Sequence, residues 1–164
     1  MSSSLVGSEM CIRDSNGIGS QGLVMDGTDD QKENYLPRLA SGEIIGSFAL
    51  TEPNVGSDSA NVQTKAEKDG DSYILNGTKR WITNANIANL FTVFARTDQS
   101  QKGSSGVSAF LVDANTPGIS LSSKYKKMGQ QGAHVCDVIF DNCRVPEVNI
   151  IGAVSYTHLR AHET

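Results

Sequence analysis

From Ser47 onward the chain is cut into short apolar runs by turn residues, and that punctuation restricts it to a mainly β architecture more than any other feature does. Phe48–Leu50 is short enough for a buried strand end. Lys65–Lys68 and Asp71–Leu75 flank a Lys68-Asp69-Gly70-Asp71 turn. Tyr73–Leu75 and Lys79–Ile82 flank Asn76-Gly77, a dipeptide that predicts a tight hairpin between them. Further strands are expected at Leu90–Ala95, Val107–Asp113, Ile119–Leu121 and Val135–Asp141, separated by the polar Asp98–Gly106 loop and by Thr116-Pro117-Gly118. Runs this short with turns between them predict a small antiparallel barrel or sandwich, and no internal repeat is apparent.

Ahead of these runs, residues 16–46 read as one or two short helices. Thr28 or Asp29 can cap a helix through Gln31, Lys32, Glu33 and Tyr35, with Asp30 and Glu33 near its positive end. Pro37 is expected to end it or to open a further short helix, and Ser41-Gly42 is a stop signal. Leu36, Leu39 and Ile44 supply one apolar face.

The 164-residue length suits one domain with a real core. A net charge of -4 argues against a nucleic-acid binder, which normally presents a basic face, and no stretch resembles a membrane span. Three cysteines without paired spacing suggest reduced thiols, and the three histidines show no ligand spacing, so no metal site is inferred. Lys124, Lys126 and Lys127 around Tyr125 form the densest positive cluster, for which a solvated edge is the plainer reading.

Chemistry concentrates in Phe48-Ala49-Leu50-Thr51-Glu52-Pro53-Asn54-Val55-Gly56-Ser57-Asp58 and in Trp81-Ile82-Thr83. The loop opens and closes on hydroxyls, Thr51 and Ser57. Pro53 stiffens its path and Gly56 permits close backbone approach. Such a loop suits a flat heterocycle that needs hydrogen bonds along one edge. Taken singly, Trp81 would be a core residue of a hairpin, Thr51 and Thr83 turn hydroxyls, and Ser57-Asp58 a helix cap. Glu52, a carboxylate before proline in a turn, reads as structural rather than as a general base.

Together the two segments look like more. Phe48-x-Leu50-Thr51-Glu52-Pro53-x-x-Gly56-Ser57-Asp58, followed by Asn76-Gly77-x-Lys79-x-Trp81-Ile82-Thr83-Asn84, resembles the signature of the acyl-CoA dehydrogenase family in order and spacing. The resemblance runs from about Gly17 to Gly152. It implies that residues 16–46 are the end of an N-terminal helical domain and 47–152 a small β-barrel-like middle domain that binds flavin and acyl-CoA. It implies FAD held by Phe48, Leu50, Thr51, Ser57, Trp81, Ile82 and Thr83, with Ser57 also beside the acyl-CoA. Thr51 would serve the pyrimidine end of the ring, Thr83 would serve N5, and Trp81 would pack on the ring system. Phe48 stands where many relatives carry tyrosine, so a phenol hydrogen bond is not implied.

The reaction implied is α,β-dehydrogenation of an acyl-CoA thioester with hydride transfer to flavin, followed by electron transfer to an electron-transfer flavoprotein. The family's base is a glutamate of a C-terminal helical domain beyond Gly152, so no catalytic residue is expected here. A homo-oligomer, tetramer or dimer, in a bacterial cytoplasm or a mitochondrial matrix is implied for the full-length protein. An acyl-CoA oxidase of the same superfamily and a non-redox β-barrel binding module are the alternatives. The tails, 1–15 and 153–164, lack any helical or strand period and resemble translated adaptor sequence at the ends of environmental assemblies. Both are expected to be foreign to the gene, and the chain a fragment.

Overall fold

The computed structural model describes residues 16–152, so the expectation for the two tails lies outside the described residues. Two helices come first, α1 (16–26) and α2 (Asp29–Ser41). Eight strands follow: β1 (Gly46–Ala49), β2 (Lys65–Asp69), β3 (Ser72–Thr83), β4 (Leu90–Arg96), β5 (Val107–Asp113), β6 (Ile119–Leu121), β7 (Val135–Pro146) and β8 (Ile150–Ile151).

Thr28 caps α2 through a capping box: its hydroxyl accepts from Gln31 N while the Gln31 side chain accepts from Thr28 N. Gly42 ends the helix in the left-handed conformation, its N–H returning to Leu39 O. Contrary to expectation, Pro37 neither ends α2 nor starts another helix; it lies inside a continuous one. Pro37 and Glu33, the residue whose carbonyl loses its helical donor, are both exposed, so water can satisfy that carbonyl. Buried Leu39 and the Gly42 cap hold the last turn.

The sheet runs β6-β7-β3-β2-β4-β5-β8, with β1 also on β4. Most pairs are antiparallel, but β1 and β2 lie parallel to β4. The wings face one another. Tyr73, Leu75, Val138 and Phe140 from β3 and β7 share a core with Phe91, Val93, Phe110 and Val112 from β4 and β5. Tyr73 and Phe110 meet edge to face at 5.4 Å. On the other side of β4 and β5, Leu90, Phe94, Val107 and Leu111 pack with Leu23 and Leu39 of the helices. Covered on both faces, β4 and β5 read as nearly continuous apolar runs rather than alternating ones.

The Lys68–Asp71 turn forms, with Gly70 at φ 65°. The Asn76-Gly77 hairpin does not: β3 is a single 12-residue strand that passes straight through the dipeptide. Its partner is β7, equally long, along its whole length. Gly77 serves a different need. At φ 154° it carries a register shift, and a Cβ there would lie 2.6 Å from Thr64 Oγ1 and 2.8 Å from Thr64 Cα. Asn76 Oδ1 accepts from Asn142 N instead of closing a turn. Cys136 and Cys143 are free and buried, and burial pushes the Cys143 thiol up to about 11.

Candidate functional site

β1 delivers the chain into the loop that starts at Thr51, and a buried ion pair fixes that loop. Glu52 and Val55 exchange backbone hydrogen bonds across a tight turn, and the buried Glu52 carboxylate points inward. It accepts from Gln63 N at 2.6 Å, Thr64 N at 2.8 Å, Thr64 Oγ1 at 2.5 Å and Lys79 Nζ at 2.8 Å. Lys79 Nζ also donates to Leu50 O at 3.2 Å. Burial works to raise the Glu52 pKa, but the Lys79 charge and these donors together hold it below the ordinary value. Burial drops Lys79 to about 8 despite its partner. With every oxygen engaged away from solvent, Glu52 is a structural tie.

One residue further along β3 the ladder to β7 breaks. Lys79 pairs with Val138 and Ile82 with Cys136, so Arg80 and Trp81 together oppose Asp137 alone. Both bulge amides are redirected. Arg80 N donates to Thr51 O at 2.7 Å, stitching the loop to the strand, and Trp81 N donates to Asp137 Oδ1 at 3.1 Å. Trp81 sits at φ 58°, a conformation that costs a bulky residue roughly 1–3 kcal/mol. The bulge turns its indole outward, 61% exposed, which rules out the plain reading of a core tryptophan.

Beside this bulge opens a groove of about 400 Å³, lined by Phe48, Thr51, Trp81, Ile82 and Thr83 together with Ile18, Lys127, Gln130, Ala133 and Val135. Phe48 backs it, its ring 5.0 Å from that of Phe94. Ser47 of β1 donates to Thr83 O, holding the far end of β3 against β1. Five of the seven residues expected to bind a cofactor therefore share one groove. Leu50 instead packs half-buried in the helix-side core, and Ser57 is exposed further along the loop; neither lines the groove.

The groove contains an exposed aromatic face, an apolar floor and the two threonines, whose hydroxyls are engaged by no other described residue. Such a site can bind and orient a planar heteroaromatic group. Among its described lining residues Lys127 is the one ionisable group, and its Nζ donates to Gln130 O. Lys127 departs from the solvated edge expected of the lysine cluster, while Lys124 and Lys126 are exposed as expected. Sequence reasoning also missed Lys79 and Asp137. For Asp137 the one signal was a charged residue inside an apolar run, Val135-Cys136-Asp137-Val138-Ile139-Phe140; Lys79 gave none.

A family model described as acyl-CoA dehydrogenase, middle domain, matches residues 47–143. Mitochondrial isovaleryl-CoA dehydrogenase of Pongo abelii is 49% identical over 131 residues, 79% of this chain and 31% of its own. A probable acyl-CoA dehydrogenase of Bacillus subtilis, YngJ, is 44% identical over 135 residues, 82% of this chain and 36% of its own. Among solved structures, an FAD-dependent dehydrogenase superposes with TM-score 0.86 at 35% identity, covering 91% of this chain and 40% of that one. The prolyl acyl carrier protein oxidase AnaB gives 0.86 at 40% identity, covering 91% and 39%. The chain thus spans about a third of the length of the curated relatives it matches.

Proposed function

The chain belongs to the acyl-CoA dehydrogenase family, and from that we propose that it is the flavin-binding part of an FAD-dependent enzyme that dehydrogenates acyl-CoA thioesters between Cα and Cβ. The carrying observation is the groove that gathers Phe48, Thr51, Trp81, Ile82 and Thr83. Its residues fit an isoalloxazine: a flat aromatic wall, an apolar floor, and two hydroxyls otherwise unengaged among the described residues. FAD, when bound, supplies a two-electron hydride acceptor.

The chain's own residues bind and orient. Thr51 and Thr83 offer hydrogen bonds to the polar edge of the ring, and donors held rigidly in place can stabilise developing charge by a few kcal/mol. Trp81 covers the ring and keeps water from it. In this reading Leu50 supports the loop from the core side, and Ser57, outside the groove, meets the acyl-CoA. Residues 16–46 are the end of a helical domain and 47–152 the middle β domain. The proton acceptor lies outside the described residues. The full-length protein is a homo-oligomer, dimer or tetramer, passing electrons to an electron-transfer flavoprotein in a bacterial cytoplasm or mitochondrial matrix. Among the described residues no helix is long and apolar enough to cross a membrane.

The test is anaerobic addition of acyl-CoA thioesters to the protein at the length of its relatives. Bleaching of a bound flavin's visible absorbance is expected; absence of any flavin, or a flavin untouched by every thioester offered, overturns the reading. Ser57→Ala is expected to raise the substrate KM with flavin retained. A lost flavin without a KM effect contradicts that role. The likeness to an oxidase favours one second reading, electron delivery to oxygen. Oxygen uptake measured against dye reduction separates the two.

A further inference from the structure

The β3 bulge places two residues, Arg80 and Trp81, opposite Asp137, and the Asp137 side chain folds back onto it. Three donors converge on that carboxylate. Trp81 N reaches Oδ1 at 3.1 Å, Tyr125 Oη reaches Oδ2 at 3.0 Å, and Arg80 Nε approaches Oδ2 at 3.4 Å. Asp137 is itself pinned to the segment before β7. Its N–H donates to Ser122 Oγ at 2.8 Å, and its carbonyl accepts from Ser122 N. The carboxylate is buried, whereas the indole whose backbone it holds is 61% exposed at φ 58°. A tryptophan in that conformation persists only where its surroundings over-determine it, and here the ladder that would normally do so is broken. The Tyr125 phenol is raised above its ordinary value, chiefly by its hydrogen bond to Asp137.

We propose that Asp137 is a positioning residue: its carboxylate, steadied by Tyr125 and Arg80, locks the bulge that presents the Trp81 indole to the groove. The consequence for flavin rests on the reading given under Proposed function; the lock itself does not. Sequence supports the arrangement, because a carboxylate inside the apolar run of β7 otherwise costs stability with no return.

Trp81 is the chain's single tryptophan, so its signals are unambiguous. In the 164-residue chain without cofactor, the Trp81 amide should exchange with solvent about tenfold slower than an exposed amide, as one hydrogen bond to a charged acceptor implies. Asp137→Ala and Asp137→Ser should abolish that protection and lower the fluorescence anisotropy of the indole while far-ultraviolet circular dichroism stays unchanged. Asp137→Asn keeps an oxygen for the Trp81 amide but neither the charge nor the acceptor for Arg80, and should restore both signals in part. An unprotected Trp81 amide in the wild-type chain overturns the proposal even if the variants fail to fold. So does an Asp137→Ala chain with unaltered exchange and anisotropy. In the protein at the length of its relatives, Asp137→Ala should weaken FAD binding about tenfold. If Trp81→Ala sheds flavin and Asp137→Ala does not, positioning fails and the flavin reading stands. If Trp81→Ala keeps its flavin, the role given to Trp81 in holding the ring fails, and amide exchange alone decides the lock.

Discussion

Glu52 and Lys79 show what a single pair of side chains contributes to this site. Each is buried, and removing one strands the other's charge in the core. Lys79→Met is therefore expected to destabilise the chain by about 3–5 kcal/mol. The double variant Glu52→Gln with Lys79→Met should cost less than the two single changes summed, and additive losses in denaturant titrations would show the pair to be uncoupled. The pH dependence follows from the direction of the shift. Glu52 is held below its ordinary 4.5, so between its folded value and 4.5 the unfolded chain binds the proton more readily. Its stabilisation is complete above 4.5 and is lost as pH falls through the folded value. Glu52→Gln should flatten that acid limb, and an unchanged limb would place the acid sensitivity elsewhere. The structural reading of Glu52 was legible because a carboxylate before proline in a turn has few other uses. Its partner was not, since a lone lysine in a strand gives no sign of pointing inward.

At the scale of elements, local signals carried most of the strands but failed where pairing overrode them. Asn76-Gly77 has the chemistry of a hairpin turn, yet β7 pairs with β3 along its full length, and that long ladder outweighs a local preference for reversal. What the glycine provides is room for Thr64, which in turn donates to Glu52. Gly77→Ala should force β3 and Thr64 apart and cost about 1–3 kcal/mol, seen as a lower denaturation midpoint; an unshifted midpoint would show that the strand can give way there. The Trp81 bulge was equally hidden, because it depends on two residues of β3 opposing one of β7. By contrast, Leu90–Ala95 and Val107–Asp113 were expected as strands and form β4 and β5, whose burial on both faces only the folded chain shows. Phe110, fully buried and edge-on to Tyr73, should lose about 3–5 kcal/mol on change to alanine, and a loss below 1 kcal/mol would mean that the core collapses around it.

For the whole molecule, the mainly β fold with short leading helices was legible from punctuation and periodicity, and the shared groove followed from the paired motifs. Leu50 and Ser57 fell outside that groove because adjacency in a motif does not fix which way a side chain faces once the loop is pinned by Glu52. Ile18 comes to the groove from the first helix, Gln130 from the segment that leads into β7 and Val135 from the start of that strand, a convergence that only the folded sheet produces. The account rests on that groove holding a flavin against Trp81. The most direct measurement is the flavin content of the purified protein, at the length of its relatives, for wild type and Trp81→Ala side by side. The account predicts a stoichiometric flavin in the first and a marked loss in the second, with circular dichroism unchanged. Equal flavin content in the two would contradict it.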